Sequence, residues 1–238
     1  THALVDLGFA VTAVDESVGV FAHIGSTGMT LDRLAVRGGR RGVAIEKTTT
    51  HLVLQSSTFD AVKLAGVAIG GTAVELRDVA VTDTQTGVRI ERGADDVTAV
   101  GLRLTGGRDG VVATAGTTGV LLHDLSAVGI ENDAVRSFSP DARILGGTIV
   151  GATTGVTAGA ATTISRVSMS LTGMLARPER HDAGAVIYVN VDALEPAITK
   201  VAAGDQETLD NLTPLRAAGI SSWRDGDAVR FSFTVMCG

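Results

Sequence analysis

Between residues 66 and 110 the chain writes one unit twice. GVAIGGTAVELRDVAVTDTQT is followed by GVRIERGADDVTAVGLRLTGGRD, and GVV then begins another copy. The same opening position recurs at Gly19, Gly42, Gly66, Gly87, Gly110, Ala134 and Gly155, at intervals of 21 to 24 residues. A period of that length that drifts by a few residues belongs to stacked units with turns of variable length, not to helical heptads.

Inside each unit the apolar residues fall two apart, the spacing that puts side chains on one face of a strand. The unit from Gly87 gives Val88/Ile90, Val97/Ala99 and Leu102/Leu104. The unit from Gly66 gives Val67/Ile69, Val74/Leu76 and Val79/Val81, and the units from Gly19, Gly110 and Gly155 repeat the scheme. The unit from Gly42 retains mainly Phe59 in its third strand, and the unit from Ala134 is weaker again. Three short strands per coil, each with one inward face, predict an all-β chain wound as a single-stranded parallel β-helix of seven to eight coils. Neighbouring coils then pair strand to strand at roughly 4.8 Å, and seven of them make a rod of about 34 Å. The glycine at each opening predicts a sharp bend with positive φ.

Composition agrees with a narrow core. Only 3% of the 238 residues are aromatic, so Val, Ala, Leu and Ile must fill the interior. A formal net charge of −6 argues against nucleic acid as the main partner, because such binders carry a basic stripe. No apolar run is long enough to span a membrane. Cys237 is the single cysteine, so no internal disulfide forms and the redox compartment stays open. No signal peptide or initiator Met is legible, and Thr1 reads as the start of a mature or cut chain.

The Gly-Val-x-Ile openings at Gly42, Gly66 and Gly87, with three paired strands behind each, resemble the right-handed parallel β-helix repeats of the pectate-lyase-like superfamily. The likeness covers residues 3–174. It implies one of two functions. The first is a polysaccharide-processing protein of lyase, epimerase or hydrolase type acting on an extracellular glycan. The second is a non-catalytic envelope, adhesin or spike-like solenoid that binds a glycan or protein partner. Whether the chain is an enzyme stays open; a polysaccharide lyase or epimerase is the form it would take. Both readings place it outside the cell or in the envelope. They leave room for a homo-oligomer or partner chain at a solenoid end. No cofactor is called for, and Ca²⁺ is the one cation the resemblance suggests.

In a solenoid, residues at one coil position stack into columns, and columns are where chemistry would collect. Asp109 and Asp133 precede two adjacent openings, with Arg89 and Arg136 outward on the following strands and Arg108 in the turn. Stacked carboxylates flanked by arginines suit cation binding, a shared proton or an acid and base. Carboxyls about 5 Å apart suit a retaining glycosidase, and several oxygens suit a Ca²⁺-assisted lyase. The plainer alternative is a solvated turn in which each Asp pairs with an Arg. A second column, at the turn between second and third strands, holds Asp32-Arg33, Gln55-Ser56, Arg77-Asp78, His123-Asp124 and Ser165-Arg166. It reads either as an oriented histidine base or as a ladder of opposite charges fixing coil register. A third candidate is the charged loop at 177–182, where His181 would move a proton and arginines would hold a uronate. No polygalacturonase-type, serine-triad, zinc or phosphate-loop motif is present, and the only Trp and Tyr, Trp223 and Tyr188, fall outside the regular coils.

The ends differ from the body. Residues 1–18 predict an incomplete first coil with Val5/Leu7 and Val11/Ala13 inward. The body runs over 1–175. The stretch 176–238 reads as a small irregular C-terminal cap and tail, made of a loop, a last coil at 186–194, a helix at 205–218 with Asp205 as N-cap, and a final strand at 228–235.

Overall fold

The computed structural model describes residues 2–5, 8–11, 17–158, 162–171, 174–178, 221–225 and 228–234. Every regular element among them is a β-strand, and no helix long and apolar enough to cross a membrane occurs among them. The strands wind into a parallel β-solenoid of about six turns, built from a 15-stranded and an 8-stranded sheet.

The smaller sheet holds the coil openings. Val18–Ala22, Arg41–Ile45, Ala65–Ile69, Thr86–Ile90, Asp109–Ala113, Asp133–Ser137, Thr154–Ala158 and Met174–Pro178 lie side by side, each parallel to the next. The larger sheet wraps the other two flanks. One flank stacks Met29–Asp32, Thr50–Gln55, Thr72–Arg77 and Asp95–Val100. The other stacks Ala35–Gly38, Thr58–Asp60, Ala80–Thr82 and Arg103–Thr105. Both run onto the single long strand Thr118–Val128, then onto Arg143–Val150 and Thr163–Ser170. The antiparallel hairpin Ser221–Asp225 and Ala228–Thr234 lies against the last of these.

Register delivers the stacking that the repeat predicts. Val43, Val67, Val88, Val111, Val135 and Val156 are successive Cα partners, none more than 1% exposed. Leu31, Leu54, Leu76, Ala99, Leu122, Ile144 and Ile164 form a second buried ladder, and Val36, Phe59, Val81, Leu104, Ala127, Ile149 and Met169 a third. Phe59, the largest buried side chain among the described residues, supplies the third-strand packing of the coil from Gly42. Ser57 interrupts the apolar interior without cost: its Oγ accepts from Leu34 N at 3.0 Å and donates to Gln55 O at 2.7 Å.

Four expectations change. The coil-opening glycines do not take the left-handed conformation. They are required by space: a Cβ on Gly42 would lie 2.3 Å from Phe59 Cδ1 and 2.5 Å from the carbonyl oxygen of Gly66, and Val81 and Leu104 crowd Gly66 and Gly87 in the same way. Positive φ recurs at other turns instead, among them the corner between second and third strands, at Arg33, Ser56, Asp78, Gly101, Asp124, Gly146 and Arg166. There are about six turns, not seven to eight, and beyond Gly110 the three-strand coil becomes a two-strand one, because Thr118–Val128 carries Asp124 at φ 53° without breaking its ladder. At the start, the register pairs Leu4 of His2–Val5 with Leu31 and Phe9 of Gly8–Val11 with Val36, so Leu4 and Phe9, not Val5 and Val11, occupy the register positions of these two columns. The expected coil at 186–194 and helix at 205–218 lie outside the described residues; the final strand is present as Ala228–Thr234.

Gly42→Ala is expected to cost about 1–3 kcal/mol, because the neighbouring backbone cannot move aside. Leu54→Ala is expected to cost about 2–5 kcal/mol through a cavity in the middle of a ladder. Urea denaturation followed by circular dichroism measures both.

Candidate functional site

The first candidate column is assembled as the repeat requires. Asp109 and Asp133 open neighbouring strands whose Val111 and Val135 are Cα partners, so the two carboxylates sit one rung apart. Gly110 turns inward, where a Cβ would meet Leu104 at 3.1 Å, and this leaves the preceding Asp109 at the outer corner. Arg136 projects from the outer face between the buried Val135 and Ser137. Its Nε donates to Asp133 Oδ2 at 2.7 Å, and its Nη2 donates to that oxygen and to Asp109 Oδ1 at 3.3 Å. Thr157 Oγ1 donates to Asp133 Oδ1 at 2.8 Å, and Asn132 Nδ2 to Asp109 Oδ1 at 3.4 Å.

Both Asp residues are more than 90% buried. Two like charges stacked there would repel strongly; one guanidinium shared between them removes most of that cost. Among the described residues, donors occupy three of the four carboxylate oxygens and none reaches Asp109 Oδ2. Such a cluster holds two rungs together at the corner. It offers one free acceptor, not an independent acid and base.

Of the other expected residues, Arg89 stands apart. It shares the outer column with Arg136 but lies two rungs away, with Val112 between them, and it forms no ion pair with a described residue. Arg177 is the register partner of Thr157, again two rungs from Arg136. The column thus carries an arginine at every second rung from Arg89 onward. His181 lies outside the described residues. Among the described residues no group of three or more His, Cys, Asp or Glu side chains is placed to hold a metal ion.

The second column is not a register ladder. Its charge pairs are local in sequence: Asp32 with its neighbour Arg33 at 2.9 Å, and Arg77 with Glu75 on the same strand at 2.6 Å. The exposed Arg103–Asp78 contact, at 3.9 Å, crosses between rungs there. Hydrogen bonding to Glu75, with its charge, raises Arg77 further above an already high value, without changing its protonation. Register is fixed by the core ladders instead.

His123 and Asp124 also depart from expectation. Neighbours on a regular strand point to opposite faces, but the positive φ of Asp124 swings its carboxylate back to His123, with Oδ2 3.0 Å from Nδ1. Beside them opens a cleft of about 380 Å³. Its floor is Gly146 and Gly147, and its walls are His123, Asp124, Thr148, Arg166 and Ser168. The cleft exists because the corner column, Asp124 then Gly146 then Arg166, loses its side chain at the middle rung. The readable signal was that absence: a glycine where the coils on either side place charged residues.

Comparison with protein-family models, with curated proteins and with solved structures gives no match.

Replacing Arg136 by Met is expected to destabilise the rod by about 3–5 kcal/mol, because two carboxylates remain buried without their shared cation. Arg89→Met, at an unpaired position, is expected to change stability by less than about 0.5 kcal/mol. Thermal melts of the two variants side by side measure the difference.

Proposed function

We propose that this solenoid binds an acidic extracellular or cell-envelope glycan along the outer face of its smaller sheet. The observation that carries the reading is the arginine column. Arg89, Arg136 and Arg177 recur at every second rung, roughly 9.6 Å apart along the rod. A cationic residue at a fixed register interval suits a linear polymer with a carboxylate repeated along its length; Arg89 has its forked guanidinium to offer such a carboxylate, whereas that of Arg136 is already shared by Asp109 and Asp133. The resemblance of the coil pattern to the pectate-lyase-like superfamily supports a polysaccharide partner and an extracellular or envelope location. The donors already held by Asp109 and Asp133 favour binding without catalysis.

A processing enzyme of lyase, epimerase or hydrolase type is the second reading. The stacking of Asp109 and Asp133 beside Arg136 favours it, with Asp109 Oδ2 as the acceptor that a sugar hydroxyl or a proton would reach.

Co-sedimentation with polygalacturonate and alginate, with neutral dextran as control, tests the binding. Retention of the acidic polymers that weakens steeply between low and physiological salt is expected, with Arg89→Gln weakening it several-fold. Equal retention of dextran, or an unchanged Arg89→Gln variant, sinks the binding reading. Release of reducing ends or unsaturated products from the same polymers would establish the second reading instead.

A further inference from the structure

We infer that the cleft at the opposite corner of the rod is a separate binding site for a small hydroxylated monocarboxylate. It is built by the larger sheet and contains none of the arginine column, so it stands or falls apart from the glycan reading.

The corner column explains the shape. Asp124 and Arg166 lie two rungs apart, roughly 9.6 Å between Cα atoms, with Gly146 between them. Gly146 is at φ 74° and Gly147 at φ 124°. A Cβ on Gly146 would fall 2.7 Å from Asp124 Oδ1, and one on Gly147 would fall 2.1 Å from Leu125 O. The slot is therefore not a gap awaiting a larger side chain. The conformation and the neighbouring atoms keep it open.

The lining selects the ligand. Arg166 forms no ion pair with a described residue, and its fork is a carboxylate partner at one end of the slot. At the other end the Asp124 carboxylate repels a second anionic group. It also fixes the imidazole of His123 through Nδ1, at 3.0 Å, which leaves Nε2 as that ring's remaining polar atom. Thr148 and Ser168 on the side wall supply hydroxyls that both donate and accept, as a polyol requires. No aromatic or large aliphatic side chain lines the cleft, which disfavours an apolar ligand. A volume of about 380 Å³ accommodates a hydroxy acid of about six carbons. The carboxylate meets Arg166, the middle hydroxyls meet Thr148 and Ser168, and the terminal hydroxyl meets the His123–Asp124 pair.

The test uses D-gluconate as probe, with sorbitol as its uncharged counterpart and adipate as a dianion of similar length. Titration is followed by calorimetry and by the imidazole resonances of His123, assigned with His123→Asn. Saturable gluconate binding with a dissociation constant of about 1 mM or tighter is expected, together with movement of the His123 signals. Sorbitol and adipate should bind at least tenfold more weakly. Arg166→Gln should lose at least tenfold in affinity, and the shape-conserving Thr148→Val several-fold. Absence of saturation, equal binding of sorbitol, or unchanged affinity in both variants would overturn the assignment.

Discussion

Parallel pairing in which residues one coil apart become vertical neighbours governs this molecule. Because each strand hydrogen-bonds to the one from the next turn, the side chain at a given coil position always meets its counterpart. The valine ladder from Val43 to Val156 is the direct result. A slip of one residue would carry every inward side chain of a rung to the outside. The buried Leu/Ile and Phe59 columns impose the same penalty on the other two flanks, so the three faces hold one another in register. This leaves the outer face and the corners free to vary, and the polar chemistry is found there.

The two polar clusters use that freedom differently. At the first corner the column places carboxylates at Asp109 and Asp133 on adjacent rungs, and Arg136 spans them. Charge, donors and burial all close on themselves, which is a structural arrangement. At the other corner a missing side chain opens the column. Asp124 and Arg166 face a slot instead of each other, and the imidazole of His123 beside Asp124 is oriented but not enclosed.

The winding, the identity of the stacked residues and the approximate period were legible in the sequence, because alternation and repetition survive translation into one dimension. Val67, Val88 and Val111 share a column as the spacing required. What was not legible depended on contacts between different faces. The reason for Gly42 is Phe59 from the third strand and the carbonyl of Gly66 in the next coil, which no local rule displays. The approach of His123 to Asp124 depends on a left-handed residue inside a strand, where alternation predicts that neighbours diverge. The sharing of Arg136 between Asp109 and Asp133 required the reach of one side chain across a rung. Position in a column could be read from the spacing; saturation of its hydrogen bonds could not.

The antiparallel hairpin on Thr163–Ser170 has a consequence for length. A stack of equivalent rungs has no inherent terminus, since each presents to the next the template it received. Ala228–Thr234 runs in the reverse direction along that edge, with a register shift between Ile164 and Val167. Ser221–Asp225 pairs in turn with its outer side, so a further coil cannot pair with Thr163–Ser170 directly. The hairpin thus occupies the backbone donors and acceptors that the last parallel strand of this flank would otherwise leave exposed.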